Sequence, residues 1–334
     1  MRHWFTPLTT GLLLTACTKE VVVLKDAPPP PPPQPGRWAD VVHTARGELA
    51  DPATSVDGIH MVYSEQQQPG ESALYVQRLD RGRDAARIAL APAPGEDRMP
   101  TYGPNGTWVY FSSNRWGSWD ILRTRSDGTG PIEQVTHDDV IDEFEPSISP
   151  DGEWMAYARS VPGSTDGYRI WIRNLVDGRD IDLQTPGRHP AWAPAGNRIA
   201  FQHRPQADGP LWSIFTLELD AKGRTGALAQ VVAPTDDGYG AIAPSWSPDG
   251  LNLAFLRARS AGGPLSGIWT VAANGGRPVE IHVDQADSFW SMAWGFDQRI
   301  HAAGRRAGEA GLHAFSEPQG NSSITLGKDA KGTK

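Results

Sequence analysis

The chain has 334 residues, of which 39% are hydrophobic and 21% are charged. This composition provides enough apolar side chains for a large core, and the 36 glycines and 29 prolines favour a fold with many turns. A formal net charge of −8 argues against nucleic-acid binding, which needs a basic surface to displace the counterions of phosphates. The single cysteine, Cys17, excludes a disulfide within this chain and a metal site built from several cysteines.

The first residues are typical of a processing signal. Arg2 and His3 give a short positive start, and an apolar run up to Thr15 is too short to span a bilayer as a stable anchor. The run ends Leu14-Thr15-Ala16-Cys17, which resembles the lipobox of bacterial lipoproteins. The resemblance implies a signal peptide at 1–16, cleaved before an acylated Cys17; an ordinary signal peptide with an incidental cysteine is the alternative.

A tether is predicted between the acylated cysteine and the folded part, over residues 17–37. Pro28 to Pro33 should form an extended left-handed helix that acts as a semi-rigid spacer, and a ligand for a proline-binding module is the alternative. In lipoproteins of bacteria with two membranes, an Asp directly after the cysteine tends to retain the protein on the inner membrane. Thr18 at that position therefore implies the outer membrane.

One strand, turn and strand pattern recurs along the chain. In its fullest copy, Ala243 to Phe255, Pro248 presets the φ angle of a turn and Gly250 supplies the left-handed residue that closes it. The turn positions 58, 106, 152, 196, 250 and 298 define six units of similar length, a sign of a repeat architecture. The copies begin at Pro52, Pro100, Pro146, Pro190, Pro244 and, more weakly, Met292.

The residues after each turn alternate with the period of two that a strand requires. The third and fifth positions are large and apolar, as in Met61 and Tyr63, whereas the position between them is mostly small, which suits close packing of one sheet on the next. Four short strands per unit without a helical period predict an all-β fold, a six-bladed β-propeller of four-stranded antiparallel blades without a helical domain. A β-sandwich is the rival, but it would not need the same turn six times.

Closure of the ring is left open by the sequence. The sixth repeat is degenerate, with Gln298 at the turn, as terminal repeats often are. Either Ala39 to Val42 or Ile324 to Leu326 could supply the outer strand of the last blade. The propeller is expected over residues 38–326, followed by a disordered tail at 327–334.

The pattern Pro-x-Trp-Ser-Pro-Asp-Gly-x-x-x-Ala-Phe, complete at Pro244 to Phe255, resembles the blade repeat of TolB-like propellers. The segment Phe111 to Ile121 likewise resembles the hairpin between the second and third strands of such a blade. The resemblance covers roughly residues 50 to 315 and implies the six-bladed fold. TolB itself has an α/β domain before its propeller and is a soluble periplasmic protein, so its partner is not carried over to this chain.

Catalytic and metal-binding motifs are not apparent. The nine histidines show no His-Glu-x-x-His spacing, and neither a Gly-x-Ser-x-Gly elbow nor a phosphate-binding glycine loop occurs. No cofactor is therefore expected, although clustered loop carboxylates could bind Ca²⁺ through oxygen ligands. His189 could be a metal ligand in a carbohydrate-lyase-like propeller, and a loop histidine held by hydrogen bonds is the alternative.

The loops that lead into each first strand should converge on one face around the central channel, where a rigid scaffold concentrates binding residues. We expect a mouth that receives a polypeptide segment or a small ligand, with a solvated acidic rim as the alternative. The aromatic side chains of this face, together with Trp116 and Trp119, are expected to be exposed. The candidate rim residues are Arg98, Asp142, Glu143, Glu145, Arg188, His189, Asp237, Tyr239, Phe289 and Trp290.

These observations together predict a lipoprotein of the outer membrane whose propeller faces the periplasm and binds a protein partner without catalysis. The alternative is an envelope enzyme, a carbohydrate lyase or hydrolase with its site at the channel mouth. Carboxylates converging on His189 in a deep channel would favour the enzyme. A flat rim with Phe289 and Trp290 exposed would favour a protein partner.

Overall fold

A computed structural model describes residues 39–316, except 44–46, 164–166, 205–210, 221, 224, 237, 260–264, 285 and 307. The predicted signal peptide, Cys17, the tether and the C-terminal tail lie outside the described residues and stay predictions. Within those residues the chain forms 24 β-strands in six four-stranded sheets, and one 3-10 helix of three residues, Leu79–Arg81. No helix across this range has the length and hydropathy of a membrane span.

Each sheet is one blade, and every strand pair within a blade is antiparallel. The first blade consists of β2 (Glu48–Thr54), β3 (His60–Gln68), β4 (Glu71–Arg78) and β5 (Arg87–Leu90). The second consists of β6 (Asp97–Tyr102), β7 (Trp108–Ser113), β8 (Asp120–Arg125) and β9 (Glu133–Gln134). The third consists of β10 (Glu143–Ile148), β11 (Trp154–Ser160), β12 (Tyr168–Asn174) and β13 (Asp180–Pro186). The fourth blade consists of β14 (Arg188–Trp192), β15 (Arg198–His203), β16 (Ser213–Leu219) and β17 (Thr225–Val232). The fifth consists of β18 (Tyr239–Trp246), β19 (Asn252–Arg259), β20 (Leu265–Ala272) and β21 (Val279–His282). The sixth consists of β22 (Ser288–Trp294), β23 (Arg299–Arg306), β24 (Glu309–Ser316) and β1 (Ala39–His43). The predicted six-bladed propeller is thereby confirmed.

The last blade is closed by β1, which is its outer strand and pairs antiparallel with β24. A side-chain contact supports the pairing, because Nδ1 of the buried His313 lies 2.9 Å from Oδ1 of Asp40. Of the two closures that the sequence allows, the structure therefore contains the one made by the N-terminal segment. The alternative segment, Ile324 to Leu326, lies outside the described residues.

The second strand of each blade has both faces buried, as the sequence columns predict. In β3, Met61, Val62 and Tyr63 are all fully buried. In β15 and β19 the small middle residues, Ala200 and Ala254, are equally inaccessible. Buried side chains of neighbouring blades form shared clusters, so the core lies between the sheets.

The recurring turn is a local hydrogen-bonded unit that joins the first and second strands. In the fifth blade, Oδ1 of Asp249 accepts hydrogen bonds from the hydroxyl of Ser247 at 2.6 Å and from the amide of Leu251 at 2.9 Å. Gly250 follows with a φ of 71°, a left-handed conformation that glycine adopts at little cost. The repeated motif is therefore accounted for by the turn that it forms. We name the side of the propeller on which these turns lie the turn face.

The first strands of neighbouring blades contact one another around the ring, so they are the innermost strands. Each is interrupted by a register shift typical of a β-bulge, as between Phe144 and Ser147 in β10. In five blades the residue before the strand's proline is left-handed, which is uncommon for a residue other than glycine and costs of order 1–3 kcal/mol. These residues are Asp51 (φ 53°), Met99 (54°), Glu145 (62°), His189 (49°) and Ala243 (52°).

A side chain of the preceding blade accepts a hydrogen bond from the amide of each bulge residue, and we name these contacts the bulge hydrogen bonds. They satisfy amides that the bulge removes from the strand ladder, and they join every blade concerned to the one before it. The donors and acceptors are Asp51 N to Ser291 Oγ (2.8 Å), Met99 N to Asp51 Oδ2 (3.2 Å), Glu145 N to Ser112 Oγ (3.0 Å), His189 N to Glu145 Oε2 (2.6 Å) and Ala243 N to Gln202 Oε1 (2.8 Å).

A substitution of the buried Gln202 tests how much one bulge hydrogen bond contributes to the free energy of unfolding. Gln202→Leu keeps most of the side-chain volume but leaves the amide of Ala243 without its acceptor. We expect a loss of about 1–3 kcal/mol in the free energy of unfolding, because a partly buried donor without its acceptor is incompletely hydrated. Urea denaturation measures this. Gln67→Leu, at an exposed position of β3, is the control and should change the value by less than about 0.5 kcal/mol; equal losses in both variants would contradict the account.

Candidate functional site

The face opposite the turn face, where the first strands begin, is the channel mouth. Glu143, Arg188 and Tyr239 are the first residues of their strands, and Asp142 immediately precedes β10. Each described rim candidate lies in the first three residues of a first strand or directly before one. Asp237 lies outside the described residues.

Three rim candidates from two blades meet at one point. One oxygen of the buried Glu145 carboxylate, Oε1, accepts a hydrogen bond from Arg188 at 2.9 Å and lies 3.2 Å from Nε2 of His189. The other oxygen accepts the bulge hydrogen bond from the amide of His189. The carboxylate is thus held by the fourth blade on both oxygens, and this cluster fixes blades three and four together at the mouth.

Arg188 continues the cluster into a line of aromatic rings that meet in tilted and edge-on contacts. Its guanidinium carbon lies 4.2 Å from the ring centroid of Tyr168 and 5.9 Å from that of Phe144, within the range of cation–π attraction. The ring of Phe144 lies 5.1 Å from that of Trp119 and 6.0 Å from that of Tyr168. We name Trp119, Phe144 and Tyr168 the aromatic row; it runs from the second blade to the third and ends at Arg188 of the fourth.

Two exposed apolar side chains lie in the connections that carry Trp119 or lead into the strand of Phe144. Trp116, in the hairpin that carries Trp119, is 57% exposed, and Val140, in the loop before β10, is 85% exposed. The hairpin and the loop are joined by hydrogen bonds from the amide of Glu143 to the carbonyl of Trp119 (2.8 Å) and from the amide of Trp119 to Asp142 Oδ1 (3.2 Å). Trp116 and Val140 therefore lie on two connections of the mouth that hydrogen bonds hold together.

Glu143 is a buried acid beside this surface. Its carboxylate lies 3.4 Å from Nε of Arg159, which also pairs with Asp138, and its second oxygen has no hydrogen-bond partner among the described residues. Loss of hydration raises the pKa of Glu143 from its ordinary value of 4.5 to about 7, against the opposing effects of a Thr136 hydrogen bond and the Arg159 charge. The Glu143 carboxyl group therefore titrates near neutral pH.

The other rim candidates do not join the cluster. Arg98 pairs with Glu96 at 2.7 Å, and the ring of Tyr239 lies 5.2 Å from the guanidinium of Arg257. Trp290 is half-buried and donates a hydrogen bond from its indole to the carbonyl of Leu49 at 2.9 Å. These contacts are within or between neighbouring blades.

The expectation that Phe289 is exposed is wrong. Its side chain is 1% exposed and packs edge-on against Phe315, with ring centroids 5.4 Å apart. The physical reason is its position as the second residue of β22, where the side chain points between two sheets and contributes to a core cluster. Phe289 stabilises the sixth blade and offers no surface at the mouth.

Phe144 and Tyr168 are the members of the site that sequence reasoning missed. Phe144 lies between two glutamates that were singled out, and an aromatic residue at the start of a first strand is a signal that could have identified it. Tyr168 begins a third strand, and the antiparallel order of the strands places that position on the same face as the starts of the first strands, a signal that could have identified it. In the described part of the chain, no group of three or more His, Cys, Asp or Glu residues could hold a metal ion.

A separate cleft of about 450 Å³ lies on the turn face between blades two and three. Trp108, Tyr110 and the turn residues Pro104 and Asp151 are among its lining residues. No candidate rim residue contributes to it, so it is independent of the mouth.

Glu143 predicts a pH dependence of stability. Between pH 4.5 and about 7 the unfolded chain loses this proton while the folded chain retains it, so the free energy of unfolding falls as pH rises. Glu143→Gln has no proton to lose at this position, so its free energy of unfolding should not show this fall. Between pH 4.5 and pH 8, the free energy of unfolding of the wild type should therefore decrease by up to about 3 kcal/mol relative to that of the variant. Urea denaturation at both pH values measures the difference. Glu153→Gln, at an exposed position, should follow the wild type; the same pH dependence in Glu143→Gln would contradict the assignment.

Comparison with known proteins gives partial matches to curated sequences. An uncharacterized protein of Agrobacterium fabrum is 28% identical over 141 residues, which cover 38% of this chain and 46% of that protein. A protein described as a TolB homolog, from Chlorobium chlorochromatii, is 28% identical over 156 residues, which cover 46% of this chain and 32% of that protein. The chain thus matches less than half the length of these relatives.

Solved structures match over a larger share of the chain. A putative TolB from Agrobacterium tumefaciens has a TM-score of 0.59 at 16% identity and covers 80% of this chain and 90% of its own. A gluconolactonase from Xanthomonas campestris has a TM-score of 0.60 at 11% identity, covering 84% of this chain and 89% of its own. At these identities the likeness shows the fold alone. The family model described as the TolB beta propeller domain matches residues 36–231, which is more than half of the chain. The chain belongs to the TolB β-propeller domain family.

Proposed function

We propose that this chain is a binding or scaffold protein of the cell envelope, and that its channel mouth receives a segment of a protein partner at blades two to four. The observation that carries the proposal is the aromatic row ending at Arg188, in which Trp119 and Tyr168 are partly exposed and Phe144 is buried, together with the exposed Trp116 in the hairpin that carries Trp119. Aromatic residues and arginine are the side chains most enriched where protein interfaces concentrate their binding energy.

The contacts already made in the free protein favour binding. Arg188 is fixed by Glu145 and by the ring of Tyr168, and Trp119 is fixed by Phe144 and by the hydrogen bond from its amide to Asp142. Side chains that are ordered before association lose little conformational entropy on binding. Val140 and Trp116 provide the apolar area that a partner side chain would cover, and both belong to short connections supported by rigid strands.

The proposed location is the outer membrane, with Cys17 acylated and the propeller in the periplasm. The lipobox-like sequence before Cys17 and the residue Thr18 support this location. Acyl chains contribute about 0.8 kcal/mol for each buried methylene, so several chains on one cysteine give a stable anchor. The proline-rich segment then acts as the spacer between the anchor and the blades.

An envelope hydrolase or lyase is the second candidate, and the 3.2 Å contact between His189 and Glu145 is the observation that favours it. An imidazole oriented by a carboxylate is a frequent arrangement in acid–base catalysis. One solved structure of this fold is an oligogalacturonate lyase in complex with manganese, with a TM-score of 0.52 at 12% identity. Against this candidate, Arg188 and a backbone amide already occupy the Glu145 carboxylate.

Photocrosslinking in intact cells tests the binding surface. A benzophenone amino acid at Trp116 should form a discrete adduct with a partner, and the same probe at the exposed Phe296 of the turn face should not. Val140→Asp should lower the adduct at position 116 by about tenfold, because it places a charge against an apolar contact. Val176→Asp, 79% exposed at a turn of the third blade, is the matched control and should leave the adduct unchanged.

Equal adducts from both faces, or an adduct insensitive to Val140→Asp, would contradict binding at the mouth. His189→Gln separates the two candidates, because a binding surface keeps its adduct in this variant. A hydrolase or lyase activity of the wild type that is lost in His189→Gln, with no adduct at position 116 in either protein, would establish the second candidate.

The anchor is tested by fractionation of cell envelopes. Cys17→Ala should release the protein from the membrane fraction and abolish incorporation of labelled palmitate, because no thiol is left to acylate. Thr18→Asp is the companion variant and should move the protein to the inner-membrane fraction with the label retained. Membrane fractionation of Cys17→Ala that matches the wild type would refute the anchor.

A further inference from the structure

The outer strand of the fourth blade, β17, is an open sheet edge. It is the last strand in the order β14-β15-β16-β17, so one row of its backbone N–H and C=O groups points away from the sheet. Its sequence, Thr-Gly-Ala-Leu-Ala-Gln-Val-Val, contains no charged residue and no proline. The residues at 225–230 are all exposed, and Leu228 at their centre is 56% exposed. A long, uncharged edge of this kind readily pairs with another strand.

The other outer strands carry the features that discourage such pairing. Natural sheets protect their edges with charged residues, prolines or very short strands. The strand β9 has two residues, β5 and β21 have four each, and β13 is longer but contains two aspartates and a proline. Each outer strand except β17 also includes a charged residue: Asp40, Arg87, Glu133, Asp180 and Glu280. Among the described outer strands, β17 alone lacks this protection.

The pairing of β17 with β16 defines which part of the edge is regular. Leu217 pairs with Leu228, Thr216 with Ala229 and Phe215 with Gln230, and register shifts lie on both sides of this segment. The bulges shorten the usable edge to its middle, where the exposed Leu228 lies. A partner strand would therefore align on the residues around position 228.

We propose that β17 pairs edge to edge with β17 of a second copy of the chain, in antiparallel orientation about a two-fold axis. In a two-fold contact residue i meets residue j of the other copy, and a residue near the axis meets its own copy, so a charge there faces a like charge. Like charges directly opposite each other on paired strands are destabilising, and β17 is the outer strand that avoids this penalty. With a net charge of −8, two copies repel over most of their surfaces, and a neutral edge is where they can approach.

The contact between two such strands is small. Stable specific interfaces bury about 1,200–2,000 Å², which one short strand pair does not reach. We therefore expect weak association, detectable at protein concentrations of about 10 to 500 μM. This inference does not depend on the proposed function of the channel mouth, because β17 lies on the outer side of the fourth blade.

Sedimentation velocity of the full chain tests the pairing. Cys17→Ser provides a cysteine-free background, because the chain has no other cysteine. We expect a monomer–dimer equilibrium in which Leu228→Lys raises the dissociation constant by at least about tenfold, since two lysines would meet near the axis. Ile88→Lys, at an exposed position of the outer strand β5, is the matched control and should leave the constant unchanged.

Single cysteines then locate the axis. In the same background, Ala227→Cys, Leu228→Cys, Ala229→Cys and Gln230→Cys should give disulfide-linked dimers under mild oxidation, with a maximum at one position, because a disulfide needs Cβ atoms about 3.5–4.5 Å apart. Ile88→Cys should remain monomeric. A monomer at all concentrations would overturn the proposal, as would a dimer insensitive to Leu228→Lys with no preferred cysteine position on β17.

Discussion

The bulge hydrogen bonds are the interaction on which the rest of the structure depends. A left-handed residue before proline turns its amide out of the strand ladder, and a buried amide needs an acceptor. The preceding blade supplies one, as Gln202 does for Ala243. The strain of each bulge is thus offset by a contact that also fixes the angle between two blades. In the last blade, which has no proline at this position, Ser291 closes the ring by accepting from the amide of Asp51.

The same contacts position the channel mouth. Glu145 is a bulge residue whose amide is held by Ser112 of the second blade and whose carboxylate holds the amide of His189 in the fourth. That carboxylate also orients Arg188, which in turn covers the ring of Tyr168. The candidate site is therefore an extension of the ring that joins the blades, and its side chains are fixed before any partner arrives. Rigid support of this kind lowers the entropic cost of binding.

The blades could be predicted from the sequence because their determinants are local. Pro248 and Gly250 specify a turn within a few residues, and the alternating columns after each turn specify a strand and its buried faces. Closure of the ring could not be predicted, since it joins β1 to β24 across more than two hundred residues of chain. Both candidate segments had suitable β-sheet residues, and only the packed structure distinguishes between them.

The candidate site could be predicted only in part. Its position at the starts of the first strands followed from the propeller architecture, and Glu145, Arg188 and His189 lie near the starts of β10 and β14. The direction of each side chain did not follow, which is why Phe289 was expected at the surface although β22 turns it into the core. Tyr168 was missed because it comes from a third strand and meets Arg188 only through the packing of two blades.

Backbone amide hydrogen exchange tests most directly the claim that the bulge hydrogen bonds hold the ring and its mouth. The account predicts that the amides of Met99, Glu145, His189 and Ala243 exchange only through global unfolding, as slowly as the strand amides of the core. The hairpin amides around Trp116 should exchange far faster. Exchange of the bulge amides at the rate of exposed loops would contradict the account.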